Sequence, residues 1–366
     1  MEEKKSLLFN PRWKLTPKIM SCLLKIELVK EKVISLPLTP TVLSSLRESA
    51  RLYTTHYSTM IEGNRLELHQ IDTILKNEGH FPGRERDERE VLGYYAALSQ
   101  VEKWAAQRIP ITENLILSLH ALVMSDGKMD VAPTPYRNGQ NMIRDGKTRS
   151  IVYLPPEAHD VPELMKNLLI WVKENNDLAC PIVASIVHYQ FATIHPYYDG
   201  NGRVARLLTT LILHAGGFGL KGIYSLEEYY THNLMGYYNA ISIGPSHNYY
   251  LGRATADITP WIEYFIEGML VSFEKVLTQL QKTGEKNLPD RAAEMRILDP
   301  KQRKALQLFQ KFSVITAAQI GKFFDFKPST SAQLCKKWVS KGFLEIVNPS
   351  NKARSYRLGE GYKELV

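Results

Sequence analysis

The stretch TIHPYYDGNGRVARLLTTLILHAGG, Thr193 to Gly217, constrains this chain more than any other part of it. Its second half reads as a buried helix, and Arg203 and Arg206 fall in that helix's first turn. A helix N-terminus already carries about half a positive charge, so cations there are disfavoured unless an anion is held beside them. The residues just before the helix suit that need. Gly200-Asn201-Gly202 is a turn whose backbone N–H groups can converge, and such a nest at a helix N-terminus binds phosphate. Arg203 and Arg206 can clamp a polyphosphate through charge-assisted hydrogen bonds. Asp199 is a hard oxygen ligand suited to Mg²⁺. His195, neutral near pH 7, can accept a proton from a hydroxyl. A nucleotide polyphosphate with its magnesium uses all of these groups at once.

Other motifs fit less well. An EF-hand loop counted from Asp199 would place Arg203 at its fifth position and Thr210 at its twelfth, where oxygen ligands are needed. Gly200, Gly202 and Ala205 match GxGxxA, and Gly217, Gly219 and Gly222 match GxGxxG. Both lack the strand–turn–helix setting and the acidic residue about 20 positions on. The sequence contains no Walker A motif.

The rest of the chain reads as mainly helical. TPTVLSSLRESARLYTTHYSTMIEGN has Thr39 as N-cap, Pro40 at the first helical position and a Gly63-Asn64 stop. RERDEREVLGYYAALSQVEKWAAQ, TENLILSLHALVMSD with Thr112 as N-cap, VPELMKNLLIWVKENN and PIVASIVHYQFATIH follow as further helices. Gln140 to Ile143 and Ile151 to Tyr153 are expected to pair as one short hairpin across the turn-rich RDGKTRS, with Pro155-Pro156 ending it.

Charge marks off a separate module. Residues 298–366 hold 13 Lys+Arg against 5 Asp+Glu, which is the entire net charge of +8; the preceding 297 residues hold 33 of each sign. Three short helical patterns and the segments LEIV and RSYRL in this tail resemble a winged helix-turn-helix, with Ser329 to Lys341 as the recognition-type helix. Lys336, Lys337, Lys341, Lys352, Arg354 and Arg357 gather on the third helix and wing. They read either as a DNA phosphate contact or as a basic face that is solvated or binds protein. Trp338 and Phe343 read as core. The organisation expected is an N-terminal helical region over 1–105, a catalytic core over 106–290 and the tail module over 298–366. The three cysteines, Cys22, Cys180 and Cys335, are far apart and odd in number. They read as free thiols in a reducing compartment. No apolar run reaches the roughly 18 residues of a membrane span, and the N-terminus shows no signal-peptide pattern, so the expected location is cytoplasmic.

HPYYDGNGRVAR resembles the signature of the Fic family, HPFx(D/E)GNGRxxR, departing only in Tyr197 for Phe, a position expected to be an apolar anchor. The resemblance extends over roughly Leu7 to Gly252, and a winged-helix tail occurs in some members. It implies a mainly α Fic-type core with a short β-hairpin flap, and transfer of AMP from ATP to a Ser, Thr or Tyr hydroxyl of a protein. On that resemblance His195 would be the base and Asp199 would hold Mg²⁺. Gly200, Asn201 and Gly202 would cradle phosphate oxygens, Asn201 also through its side chain. Arg203 would stabilise charge on the phosphates undergoing cleavage, Arg206 would hold the γ-phosphate, and the hairpin would align the target segment.

Upstream, STMIEGN places Ser58 and Glu62 on one helix face. It resembles the family's inhibitory motif (S/T)xxxE(G/N), whose Glu reaches the second signature arginine, here Arg206. The resemblance implies self-inhibition, or alternatively removal of AMP by a water that Glu62 positions. A nucleotide-sensing, DNA-binding regulator is the remaining alternative. The 19 tyrosines leave self-modification open without naming a site, and a homo-oligomer stays open as well.

Overall fold

In the computed structural model the described residues are 9–144, 148, 150–285, 298–309, 312–350 and 354–365. They form two compact units, one of residues 1–34 and 49–277 and one of residues 35–48 and 278–366.

The first unit is helical, and its helices are fixed by local signals. The chain enters through α1 (Pro17–Ser35). Thr39, in the stretch 35–48 counted with the second unit, caps α2 (Pro40–Ile61) as expected, its hydroxyl accepting from the Val42 N–H. The short α3 (Leu68–Leu75) leads to α4 (Glu85–Ala106), whose first turn holds three acidic residues, where the helix dipole favours them. Thr112 caps α5 (Glu113–Val123) through the Leu115 N–H. The central helix is α7 (Cys180–Ile194). Apolar side chains surround it on all sides, which fits a helix wrapped by others. All its residues except Cys180 and Ala192 are buried. It packs against α6 (Val161–Glu174) and α8 (Asn201–Ala215), and α8 in turn packs on α4 and α5. Two short helices follow, α9 (Leu226–His232) and α10 (Leu234–Ile241). From α11 (Thr259–Glu285), the fully buried Trp261 donates to the Ser185 carbonyl of α7. Each large apolar side chain taken from water contributes about 1.5–3 kcal/mol.

One polar chain crosses this core. Thr209 donates to Ala205 O, His188 Nδ1–H donates to Thr209 Oγ1 at 3.0 Å, and the Tyr237 hydroxyl donates to His188 Nε2 at 3.0 Å. Burial holds His188 neutral, pushing its pKa down to about 3.

The hairpin is shorter than expected. Its strands are β1 (Ile143–Arg144) and β2 (Ile151–Tyr153), antiparallel, with Ile143 opposite Tyr153. Gln140 to Met142 is not strand. Gln140 Nε2 is tied to Pro155 O, and Asn141 Nδ2 to Tyr197 O, so this segment is spent on side-chain anchoring. Most of the turn, 145–147 and 149, lies outside the described residues.

In the second unit α12 (Pro300–Phe309), α13 (Ala317–Phe324) and α14 (Pro328–Ser340) accompany an antiparallel sheet of order β3-β5-β4. The sequence predicts two strands, β4 (Leu344–Asn348) and β5 (Ser355–Leu358). The third, β3 (Ile315–Thr316), is two residues long and too short to show a period of its own. Trp338 and Phe343 are fully buried and meet edge to face at 5.3 Å, in the core where they were expected. The three cysteines are free, and among the described residues no helix is long and apolar enough to cross a membrane.

Candidate active site

The site forms where α7 ends and α8 begins. His195 caps α7 in the left-handed conformation, φ 53°, and its N–H still donates to Phe191 O. That backbone costs a residue with a Cβ about 1–2 kcal/mol. His195 Nδ1 lies 3.3 Å from Ala192 O, a carbonyl that can only accept. Nδ1 therefore carries the proton and Nε2 is left as the basic nitrogen. Burial lowers His195 to about 4, against the opposing pull of the Ala192 carbonyl, Glu62 and Asp199.

The loop from Pro196 to Gly200 is braced by side chains. Tyr197 is 2 % exposed and stacks on His120 with centroids 3.6 Å apart, so the anchor expected at this position is present. Asn201 Oδ1 accepts from the Tyr197 N–H at 2.9 Å, and its Nδ2 donates to Tyr197 O at 2.8 Å. Each end of the Asn201 carboxamide thus spends one hydrogen bond on closing the loop. His120 Nε2–H donates to Asp199 O at 3.0 Å, and burial lowers its pKa to about 4. Gly200 has φ 78°, and a Cβ there would stand 3.2 Å from Met124 Sδ, so glycine suits both the backbone and the space.

The arginines of α8 are both buried, Arg203 at 1 % and Arg206 at 2 % exposed. Arg203 Nη2 donates to Asp199 Oδ1 at 3.2 Å, and its Nε has no partner among the described residues. Asp199 is half exposed and also accepts from the Gly200 N–H. Arg206 is enclosed by α2. Its Nε donates to Ser58 Oγ at 2.7 Å, and its Nη2 donates to Ser58 O at 2.9 Å and Glu62 Oε1 at 2.8 Å. Burial alone would lower the Arg206 pKa; the Glu62 carboxylate outweighs it and raises it.

Glu62 also covers the helix end. A Cβ at Gly202 would lie 2.1 Å from Glu62 Oε1, so the carboxylate occupies the volume that glycine leaves open on the first turn of α8. The turn that presents Glu62 is held from three sides. Gly63 has φ 94°, Asn64 Nδ2 donates to Asp87 O and Glu90 Oε2, and the Tyr238 hydroxyl donates to Ile61 O at 3.0 Å.

Sequence spacing misses two residues of this neighbourhood. Arg137 is 3 % exposed and donates to three carbonyls, among them His195 O. His120 supports Tyr197 and Asp199. Neither has a fixed spacing to the motif; the only trace of Arg137 is an arginine in PYRNGQ just ahead of the hairpin.

Two glycines with two buried arginines at a helix N-terminus, beside a histidine with one basic nitrogen, are able to hold an anion next to a proton acceptor. Residues 110–213 match the model of the Fic/DOC family. Protein adenylyltransferase Fic of Drosophila melanogaster is 34% identical over 165 residues, 44% of this chain and 32% of its own. Protein adenylyltransferase fic-1 of Caenorhabditis elegans is 32% identical over 193 residues, 51% of this chain and 36% of its own. The chain thus spans about a third of the length of the curated relatives it matches. A crystal structure of a Fic family protein from Desulfovibrio desulfuricans superposes with a TM-score of 0.62 at 23% identity, covering 96% of this chain and 99% of that one. Fic-1 from C. elegans superposes with a TM-score of 0.58 at 23% identity, covering 72% and 73%. These two likenesses speak to the fold.

Proposed function

We propose that this protein is a self-inhibited protein adenylyltransferase that transfers AMP from ATP to a Ser, Thr or Tyr hydroxyl. The observation that carries the reading is Glu62 on Arg206, above Gly202: an internal carboxylate already fills an anion site at a helix N-terminus. With Glu62 withdrawn, the same donors suit a polyphosphate. Gly200 and Gly202 offer backbone N–H groups, Arg206 takes the γ-phosphate, and Arg203 with its spare Nε faces charge that builds at the bond being cleaved.

His195 Nε2 accepts the proton of the target hydroxyl, whose oxygen bonds to the α-phosphorus. The bond from that phosphorus to the bridging oxygen breaks, and pyrophosphate leaves. Attack in line depends on positioning, which the hairpin supplies by offering an open strand edge to the target segment. Ile151 and Val152 of β2 are exposed there.

Among the described residues no three His, Cys, Asp or Glu side chains cluster as a metal site. Asp199 is a single, half-exposed carboxylate, which fits magnesium held mostly by phosphate oxygens and water. Bound there, the ion would neutralise phosphate charge.

A second reading concerns the tail unit. Lys336, Lys337 and Lys341 are all exposed along α14 and at its end, which supports a winged helix-turn-helix whose third helix meets nucleic acid phosphate.

The test uses ATP labelled at the α- or the γ-phosphate, with Mg²⁺ and cell lysate. Label that is lost with His195→Ala should come from the α-labelled nucleotide alone. The Glu62→Gly form should transfer about tenfold more or better, since a hydrogen bond to a charged partner is worth about 1.5–3 kcal/mol. His195-dependent labelling from γ-ATP would replace AMP transfer with phosphoryl transfer, and equal labelling by the two forms would remove the inhibitory role of Glu62.

A further inference from the structure

Arg137 is buried, and the Glu157 carboxylate acts on it only at a distance, with no ion pair to it among the described residues. A buried guanidinium without a close counter-charge is costly, and it persists where acceptors meet its donors. Here they reach three separate stretches of chain. Nε donates to His195 O at 3.0 Å, Nη1 to Gly139 O at 3.0 Å and Nη2 to Pro156 O. The backbone N–H of Arg137 adds a bond to Pro196 O at 2.9 Å.

The three carbonyls share a pattern. Gly139 precedes β1 and Pro156 follows β2, so they are the two ends of the hairpin. His195 O belongs to the left-handed residue that ends α7, and its direction follows from that strained backbone. One planar group therefore ties both feet of the hairpin to the peptide that carries the imidazole. Other bonds join the same parts less directly: Tyr153 OH to Thr193 O at 2.6 Å and Asn141 Nδ2 to Tyr197 O at 3.2 Å.

We propose that Arg137 is a positioning residue: it sets the register between a target segment added to the hairpin edge and His195, and so governs transfer to protein without contacting the nucleotide. This rests on the adenylyltransferase reading above. It requires the fork of Arg, since a lysine ammonium is a point charge on a flexible stem. Charge alone cannot hold three carbonyls in three directions.

The test places Arg137→Lys and Arg137→Met in the Glu62→Gly chain. Label transfer from α-labelled ATP to lysate protein is followed as ATP is varied. Both variants should lose at least about tenfold in kcat, with KM for ATP held within about twofold. An unchanged kcat in Arg137→Lys would overturn the proposal. So would kcat and KM worsening together with a fall in Tm, or failure of both variants to fold, since each marks a purely structural role.

A readout independent of turnover separates this idea from the function it rests on. Ring carbon–proton NMR signals of His195, assigned against His195→Ala, should shift or double in Arg137→Lys while those of His188 stay in place. Such a change with no label transfer in any form would retain Arg137 as the residue that orients His195 and discard the transferase. Unchanged His195 signals would overturn the role of Arg137 even in an active enzyme.

Discussion

At His195 two effects compete. Burial removes water from the ring and disfavours the imidazolium, whereas Ala192 O, Glu62 and Asp199 favour it. Burial wins and the pKa falls to about 4, so the neutral, proton-accepting form predominates everywhere above that pH. A base acts when unprotonated, so lowering its pKa moves the acid limb of the rate profile down. Removing Glu62, which pulls the pKa up, moves it lower still. The kcat/KM of Glu62→Gly for ATP should therefore hold level from pH 8 to pH 6 and fall only below about pH 5. A limb at pH 6–7, where an ordinary histidine titrates, would contradict this placement of the base. Arg206 shows the reverse balance: burial disfavours its charge, and one carboxylate restores it.

Between elements, the junction of α7 and α8 is where local sequence does most. A helix of all-round apolar character ends on a left-handed residue, and a braced loop hands over to Gly200 and α8. Asn201 closes that loop with two hydrogen bonds to Tyr197, at a site 2 % exposed. Replacing it with Ala leaves a buried N–H and a buried C=O unpaired, at a cost of about 1–3 kcal/mol for each unpaired group. Thermal unfolding of Asn201→Ala should show a Tm several degrees lower, together with weaker nucleotide binding. An unchanged Tm would mean that the loop is held by Tyr197 and His120 alone. This junction was legible in the sequence because its residues are neighbours in the chain. Ser58 and Glu62 were legible as a pair on one helix face, and their target, Arg206, through resemblance. Arg137 and His120 were not. They reach the loop from 58 and 79 residues away, across contacts that no spacing encodes. The hairpin was placed but overextended, because tethering of Gln140 and Asn141 to distant carbonyls overrides any tendency of those residues to pair as strand.

Across the whole molecule, charge and chemistry are divided. The excess positive charge lies in residues 298–366, and His195, Arg203 and Arg206 lie in the first unit. If α14 meets duplex DNA, binding by the full chain should weaken steeply with salt. Changing Lys336, Lys337 and Lys341 to Ala should then flatten the slope of log K against log salt by about 2–3, near 0.9 for each phosphate no longer neutralised. A salt-independent affinity, or none at low salt, would assign the basic face to another partner. Ser58 of α2 and Glu62 just after it both bind Arg206 of α8, and Glu62 is the one that brings a charge. The decisive measurement is a double-mutant cycle on that pair, reading AMP transfer from α-labelled ATP in the intact chain, Glu62→Gly, Arg206→Ala and the combined variant. Glu62→Gly should raise transfer about tenfold or more when Arg206 is present and change it little when Arg206 is Ala. An equal gain in both backgrounds, or no gain in either, would contradict inhibition by a carboxylate seated in the phosphate site.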